Sequence, residues 1–136
     1  MKYYENESRF NGVYSRDNLS KIKDGAYVIN LDEYSDIGTH WVTLWVNNNN
    51  VTYFDSFGVE HIPKEIKAFI KNRNIKANIF RIQAYDSIMC GYFCIGFIDF
   101  MPKGKSLTEY TNLFSPNCFK KNDDIILNYL MSNTYI

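Results

Sequence analysis

The chain has 136 residues, 46% hydrophobic and 17% aromatic. That is enough for one domain with its own core, and too apolar for a disordered segment. Fifteen basic and fifteen acidic residues cancel, so no chain-wide field marks a nucleic-acid binder. Three cysteines, at 90, 94 and 118, are an odd number without framework spacing, which fits free thiols in a reducing compartment better than a secreted disulfide scaffold.

The opening MKYYENESRF has no apolar run and predicts no secretory leader. Tyr27 to Leu31 reads as a strand. HWVTLWV (40–46) and VTYFD (51–55) are rich in β-branched and aromatic residues and flank the four asparagines 47–50. Asparagine tolerates left-handed backbone, so this pattern predicts a β-hairpin. Both strands are apolar on both faces, which predicts a sheet covered on both sides. Pro63 opens a helix with Ile66, Phe69 and Ile70 on one face. ANIFRI (77–82) reads as a further strand.

Ser87 to Met101 reads as a mostly buried helix, started by Asp86 or Ser87 as cap; its apolar part, Ile95 to Met101, is interrupted by Asp99, stopped by Pro102 and too short to span a membrane. Ser106 and Glu109 form a capping-box pattern that opens another helix, and Asp123 to Met131 gives a last one. The whole predicts a single α+β domain over residues 1–136, a small mixed β-sheet packed on a buried helix.

One combination of residues carries chemistry. If the hairpin closes symmetrically about the asparagines, Val42 lies opposite Asp55. His40 is then diagonal to Asp55 on the same face, where an imidazole can meet a carboxylate. That is a general base with its orienting group. Cys90 falls in the first turn of the buried helix, where free N–H groups and the helix dipole favour a thiolate. Gln83, seven residues earlier, can donate its amide to an oxyanion beside the Cys90 N–H. Gly91 leaves out a side chain where a substrate backbone would pass. Each has an ordinary alternative when taken singly: a strand-edge histidine, a turn aspartate, a buried structural cysteine, a solvated glutamine. Cys94, among Phe93, Ile95 and Phe97, fits the structural alternative, and Cys118 carries no signal.

The segments GTHWV, TYFDSFG and IQAYDSIMCGYFC resemble the His-Trp, Phe-acid-x-Phe-Gly and Gln-x6-Cys-Gly motifs of the adenovirus-type maturation endopeptidases, which also occur in virophages and self-synthesising DNA transposons. The resemblance is dense over about residues 38–100. It implies the adenain/SUMO-protease-like cysteine protease fold, with His40 as base, Asp55 as orienting carboxylate, Gln83 as oxyanion donor and Cys90 as nucleophile. It also implies cleavage of precursor proteins at Gly-containing sites, through a narrow cleft beside Trp41 and Gly91. SUMO- and NEDD8-deconjugating proteases share the four groups but place Gln six residues before Cys; this chain has the adenovirus-type spacing. Asp55 departs from that type, which carries Glu there.

The expected activity is therefore that of a cysteine endopeptidase, acting as a monomer without metal or cofactor. It would work in the host cytoplasm or nucleus or inside a virion, neither secreted nor membrane-bound. Zero net charge and the lack of a cysteine between the hairpin and Cys90 give no support to activation by DNA or by a disulfide-tethered peptide. The alternatives are a ubiquitin-like-modifier deconjugating protease, an acetyltransferase on the same His-acid-Cys plan, and an inactive binding module.

Overall fold

A computed structural model describes residues 9–32 and 40–132. Gly38 and Thr39 of the GTHWV segment, and the first eight residues, lie outside the described residues. The elements are β1 (Phe10–Ser15), β2 (Gly25–Asn30), β3 (Trp41–Asn47), β4 (Asn50–Phe54), α1 (Lys64–Ile70), β5 (Asn74–Ala77), α2 (Cys90–Phe100), a 3₁₀ turn (Met101–Lys103), α3 (Leu107–Thr111) and α4 (Phe119–Ser132). The strands form one sheet in the order β1-β2-β3-β4-β5. Its central pairs are antiparallel and its two outer pairs parallel, so the sheet is mixed. The fold is α+β.

The β3–β4 hairpin has the predicted register. Asn47 pairs with Asn50, Thr43 pairs with Phe54, and one further step sets Asp55 opposite Val42. Asn48, at φ 56°, takes the left-handed conformation that the tight turn needs. Alternation then sorts the side chains to two faces. Ala26, Val28, Trp45 and Phe54 face α2 and α4, where Phe93, Phe97, Ile126 and Leu130 meet them. Tyr27, Ile29, Val42, Leu44, Val51 and Tyr53 face Ile66, Phe69 and Ile70 of α1. The sheet is thus covered on both sides. Each buried side chain of this size contributes about 1.5–3 kcal/mol by leaving water, so the two layers lock the sheet between them.

Helix α2 lies flat on one of these faces. Phe97 stacks on Phe54 at 5.2 Å, and Tyr110 of α3 donates its hydroxyl to the Phe93 carbonyl at 2.6 Å. Gly96 permits the contact with α4: a Cβ there would lie 2.5 Å from Ile126 Cδ1 and 2.7 Å from Tyr110 Oη. The predicted capping box is present, with Ser106 Oγ accepting from the Glu109 N–H at 3.1 Å and Glu109 accepting from the Ser106 N–H at 3.0 Å.

Three expectations need correction. ANIFRI is not a strand: β5 ends at Ala77, and Ile79 and Phe80 are exposed in irregular chain. There the backbone is held by side chains instead, Asn78 donating to the Phe80 carbonyl at 3.1 Å. Neither Asp86 nor Ser87 is the cap of α2; the N-cap is Met89, and the helix begins three residues later than expected, at Cys90. Ser87 Oγ accepts the Met89 N–H at 3.1 Å, a turn just ahead of the helix. The last helix begins four residues before Asp123, at Phe119. No helix among the described residues is long and apolar enough to cross a membrane.

Candidate active site

His40 stands immediately before β3, and Asp55 immediately after β4, so the hairpin delivers both to the same end of the sheet. His40 Nε2 meets Asp55 Oδ1 at 2.7 Å. A carboxylate only accepts, so the ring carries its proton on Nε2. The same oxygen accepts the Phe57 N–H at 2.8 Å. Asp55 is fixed further through its backbone: Asn78 accepts the Asp55 N–H at 3.0 Å and donates to its carbonyl at 2.6 Å. Here a side-chain amide takes over from the β4–β5 ladder where the strands end. Gly58, at φ 85°, then closes the Asp55–Gly58 turn, donating to the Asp55 carbonyl at 2.9 Å. Any side chain there would strike the Ile79 carbonyl, so the final Gly of TYFDSFG has a steric cause.

With Nε2 committed to Asp55, Nδ1 is the ring nitrogen left for Cys90. It is buried and makes no hydrogen bond in this resting arrangement. Burial works against the imidazolium, but the Asp55 hydrogen bond and the neighbouring Cys90 outweigh it and hold the His40 pKa at about 9. The thiol responds in the opposite sense. Burial would raise the Cys90 pKa; the neighbouring His40 and the Trp41 backbone lower it below the ordinary value. An imidazolium–thiolate pair is what this arrangement favours. Cys90 is the first residue of α2, as a nucleophile that uses the helix N-terminus requires. Cys94, one turn on, is pushed far up by burial and donates to the Trp41 carbonyl at 3.4 Å. Cys118 is exposed.

Gln83 comes to the same place but is fully buried, and its amide is occupied. Ser56 donates to its Oε1, while Nε2 donates to the Ser87 carbonyl at 2.9 Å and to Ser87 Oγ at 3.3 Å. The sequence pattern marks Phe57 as a motif residue and assigns no chemical role to it, to Ser56 or to Asn78. Phe57 packs its ring on His40 with centroids 4.6 Å apart.

A cleft of about 500 Å³ opens over Cys90, lined by Trp41, Phe57, Gln83, Gly91, Tyr92 and Ile88. The structure therefore brings together all six residues singled out in the sequence. Gly91 has neither a left-handed backbone nor a crowded surrounding: a Cβ there would meet no atom within 4 Å. Folding does not demand glycine at this position, and the space its side chain would fill belongs to the cleft. Gly91→Ala is expected to hold or raise the thermal midpoint, since alanine favours helix. The same change should raise KM for any ligand lying across the cleft. Parallel melting curves and kinetics check both halves.

The fold is that of a known protease. A crystal structure of the ASFV pS273R protease, in selenomethionine form, superposes with a TM-score of 0.50 at 18% identity, covering 74% of this chain and 41% of that one. This chain thus spans about two fifths of that protein's length, and at this identity the likeness establishes the fold alone. No family model and no curated protein matches the sequence.

Proposed function

We propose that the protein is a cysteine endopeptidase of the viral maturation type. The observation that carries this reading is the line from Asp55 through His40 to Cys90, with the thiol at a helix start facing an open cleft. In this mechanism the Cys90 thiolate attacks a peptide carbonyl, and the C–N bond breaks as His40 gives its proton to the leaving amine. An acyl-enzyme remains. Water, deprotonated by His40, attacks the thioester; the carboxylic acid leaves and the thiol is restored. The Cys90 N–H and one Gln83 N–H stabilise the oxyanion in both halves. In the resting state that amide is bonded to Ser87, and the long 3.3 Å contact to Ser87 Oγ leaves this N–H to be shared with the substrate oxygen.

The substrates are extended segments of viral or transposon-encoded precursors, cut next to glycine. Support comes from the seven-residue Gln83–Cys90 spacing and from the open space at Gly91. The enzyme acts as a monomer, in the host cytoplasm or nucleus or within a virion. Deconjugation of a ubiquitin-like modifier is the competing use of the same four groups, and it draws its affinity from a folded partner rather than a short segment. A side-by-side assay separates them: short peptides with glycine flanking the cut, against SUMO-like and NEDD8-like proteins carrying a C-terminal fluorophore. Peptide cleavage with a glycine preference is expected, with the folded modifiers turned over poorly. Efficient modifier cleavage with peptides ignored overturns the maturation reading.

A further inference from the structure

Cys90 and His40 supply the nucleophile and the base, but neither fixes where the Gln83 amide points. The Ser56 hydroxyl, the Ser87 carbonyl and the Ser87 hydroxyl hold it, and only the last of these is itself oriented by a group from another element. Ser87 Oγ lies 3.3 Å from Gln83 Nε2, 3.1 Å from the Met89 N–H and 2.9 Å from Asp123 Oδ1. A hydroxyl has one hydrogen and two acceptor sites. Gln83 and Met89 can only donate through these nitrogens, and the Asp123 carboxylate can only accept. The network therefore has a single consistent proton assignment: Ser87 gives its hydrogen to Asp123 and receives from Gln83 and Met89. Asp123 enforces that polarity.

The two donors so ordered both belong to the neighbourhood of Cys90. Gln83 is the proposed side-chain oxyanion donor, and Met89 is the N-cap from which Cys90 and its N–H follow. Asp123 itself is half-buried on a helix whose neighbouring residues are anchored. It sits near the start of α4, next to Asn122, which is fully buried and donates to the Ile82 carbonyl at 2.7 Å. Phe119, at the first position of α4, stacks under the Arg81 guanidinium at 4.3 Å. The first turns of α4 thus grip the segment carrying Gln83 at four points, counting the exposed Lys120–Asp86 pair at 3.9 Å, and Asp123 is the one that reaches the oxyanion machinery.

We propose that Asp123, acting through Ser87, is a positioning residue that aims the Gln83 amide and the start of α2 at the developing oxyanion. This rests on the protease reading. Without the carboxylate, the Ser87 hydroxyl turns to other acceptors, and two donors lose their common reference point.

The test uses two reactions of the same thiol. Peptide hydrolysis passes through an oxyanion; alkylation of Cys90 by iodoacetamide displaces iodide and does not. Asp123→Ala is expected to lower kcat by up to about 100-fold, the scale of a misplacement near 1 Å, while KM and the Cys90 alkylation rate hold. Asp123→Asn, which keeps an acceptor oxygen, should restore most of the loss. Gln83→Ala sets the full cost of the donor, roughly 100- to 1000-fold. Asp123→Ala combined with Gln83→Ala should be barely worse than Gln83→Ala alone, because both act on one interaction.

The proposal is overturned if kcat survives Asp123→Ala, or if alkylation falls in step with it, which marks general disruption. It is equally overturned if kcat rises on Ser87→Ala, since Ser87 would then be competing for the amide rather than aiming it. Wild-type protein that alkylates at Cys90 but cleaves no peptide defeats the protease reading itself, a result distinct from these three.

Discussion

Cys90→Ala is expected to abolish peptide turnover and to leave the fold standing. The loss should be several orders of magnitude, on the scale of the roughly millionfold drop when a protease loses its nucleophile. The three thiols differ in physical state, which makes the prediction specific. The Cys90 pKa is lowered by the neighbouring His40, and the thiol opens on the cleft; Cys94 is buried and held as a neutral thiol; Cys118 is exposed, just before α4. Iodoacetamide near neutral pH should therefore modify Cys90 first, as read by peptide mass mapping. Alanine removes one sulfur atom from a helix start, so the melting midpoint should move by only a few degrees. Preferred labelling of Cys94 or Cys118, or turnover by the alanine variant, would falsify the assignment of the nucleophile.

His40→Ala should reduce turnover by orders of magnitude, and Asp55→Asn should show why. In the wild type, kcat/KM is expected to rise as Cys90 ionises and to fall as His40 loses its proton near pH 9. The two groups titrate as a pair, so these limbs belong to both. Asp55→Asn keeps the shape and removes the charge that favours imidazolium, so the alkaline limb should retreat toward the ordinary histidine range. Activity at neutral pH should fall by as much as about 10⁴-fold. A full pH–rate profile of each variant decides it: an alkaline limb that does not move removes Asp55 from the mechanism. The same shift bears on stability. The folded-state pKa of His40 is raised from 6.5 to about 9, so its protonation stabilises the fold fully below pH 6.5. That contribution is lost as pH rises through about 9.

The hairpin was legible because two β-rich runs closing symmetrically about the asparagine turn have one register, and that register alone brings His40 to Asp55. Pro63, the Ser106–Glu109 box and the buried face of α2 were legible for the same reason: local chemistry and tertiary packing agree there. The edges of the sheet were not. β1 pairs with β2 in parallel, with an irregular register between Phe10 and Val13, and none of that is written in a six-residue segment. β5, the sequence NIKA, is exposed at three of its four positions and becomes a strand only because β4 offers it a partner. ANIFRI has the better strand composition and is not a strand, since its Ile79 and Phe80 find nothing to pack on. In the site, the four chemical groups announced themselves by residue type and order. Ser56, Asn78 and Asp123 did not, because each works through a hydrogen bond across at least 23 positions of chain, and no local pattern marks such a contact.

The base and its carboxylate belong to the sheet, while the thiol belongs to the helix laid upon it. A chain leaving the ribosome carries an ordinary cysteine, no more reactive than any other, until those two layers meet. The thiolate is made only when the two layers dock. On the protease reading proposed above, the chain is thereby kept harmless to its own unfinished copies, and to the nascent proteins around it, until it has folded. Reactivity at Cys90 becomes a clock for completion of the fold: in a refolding reaction sampled with a thiol reagent, rapid labelling at this position should appear only when α2 has docked.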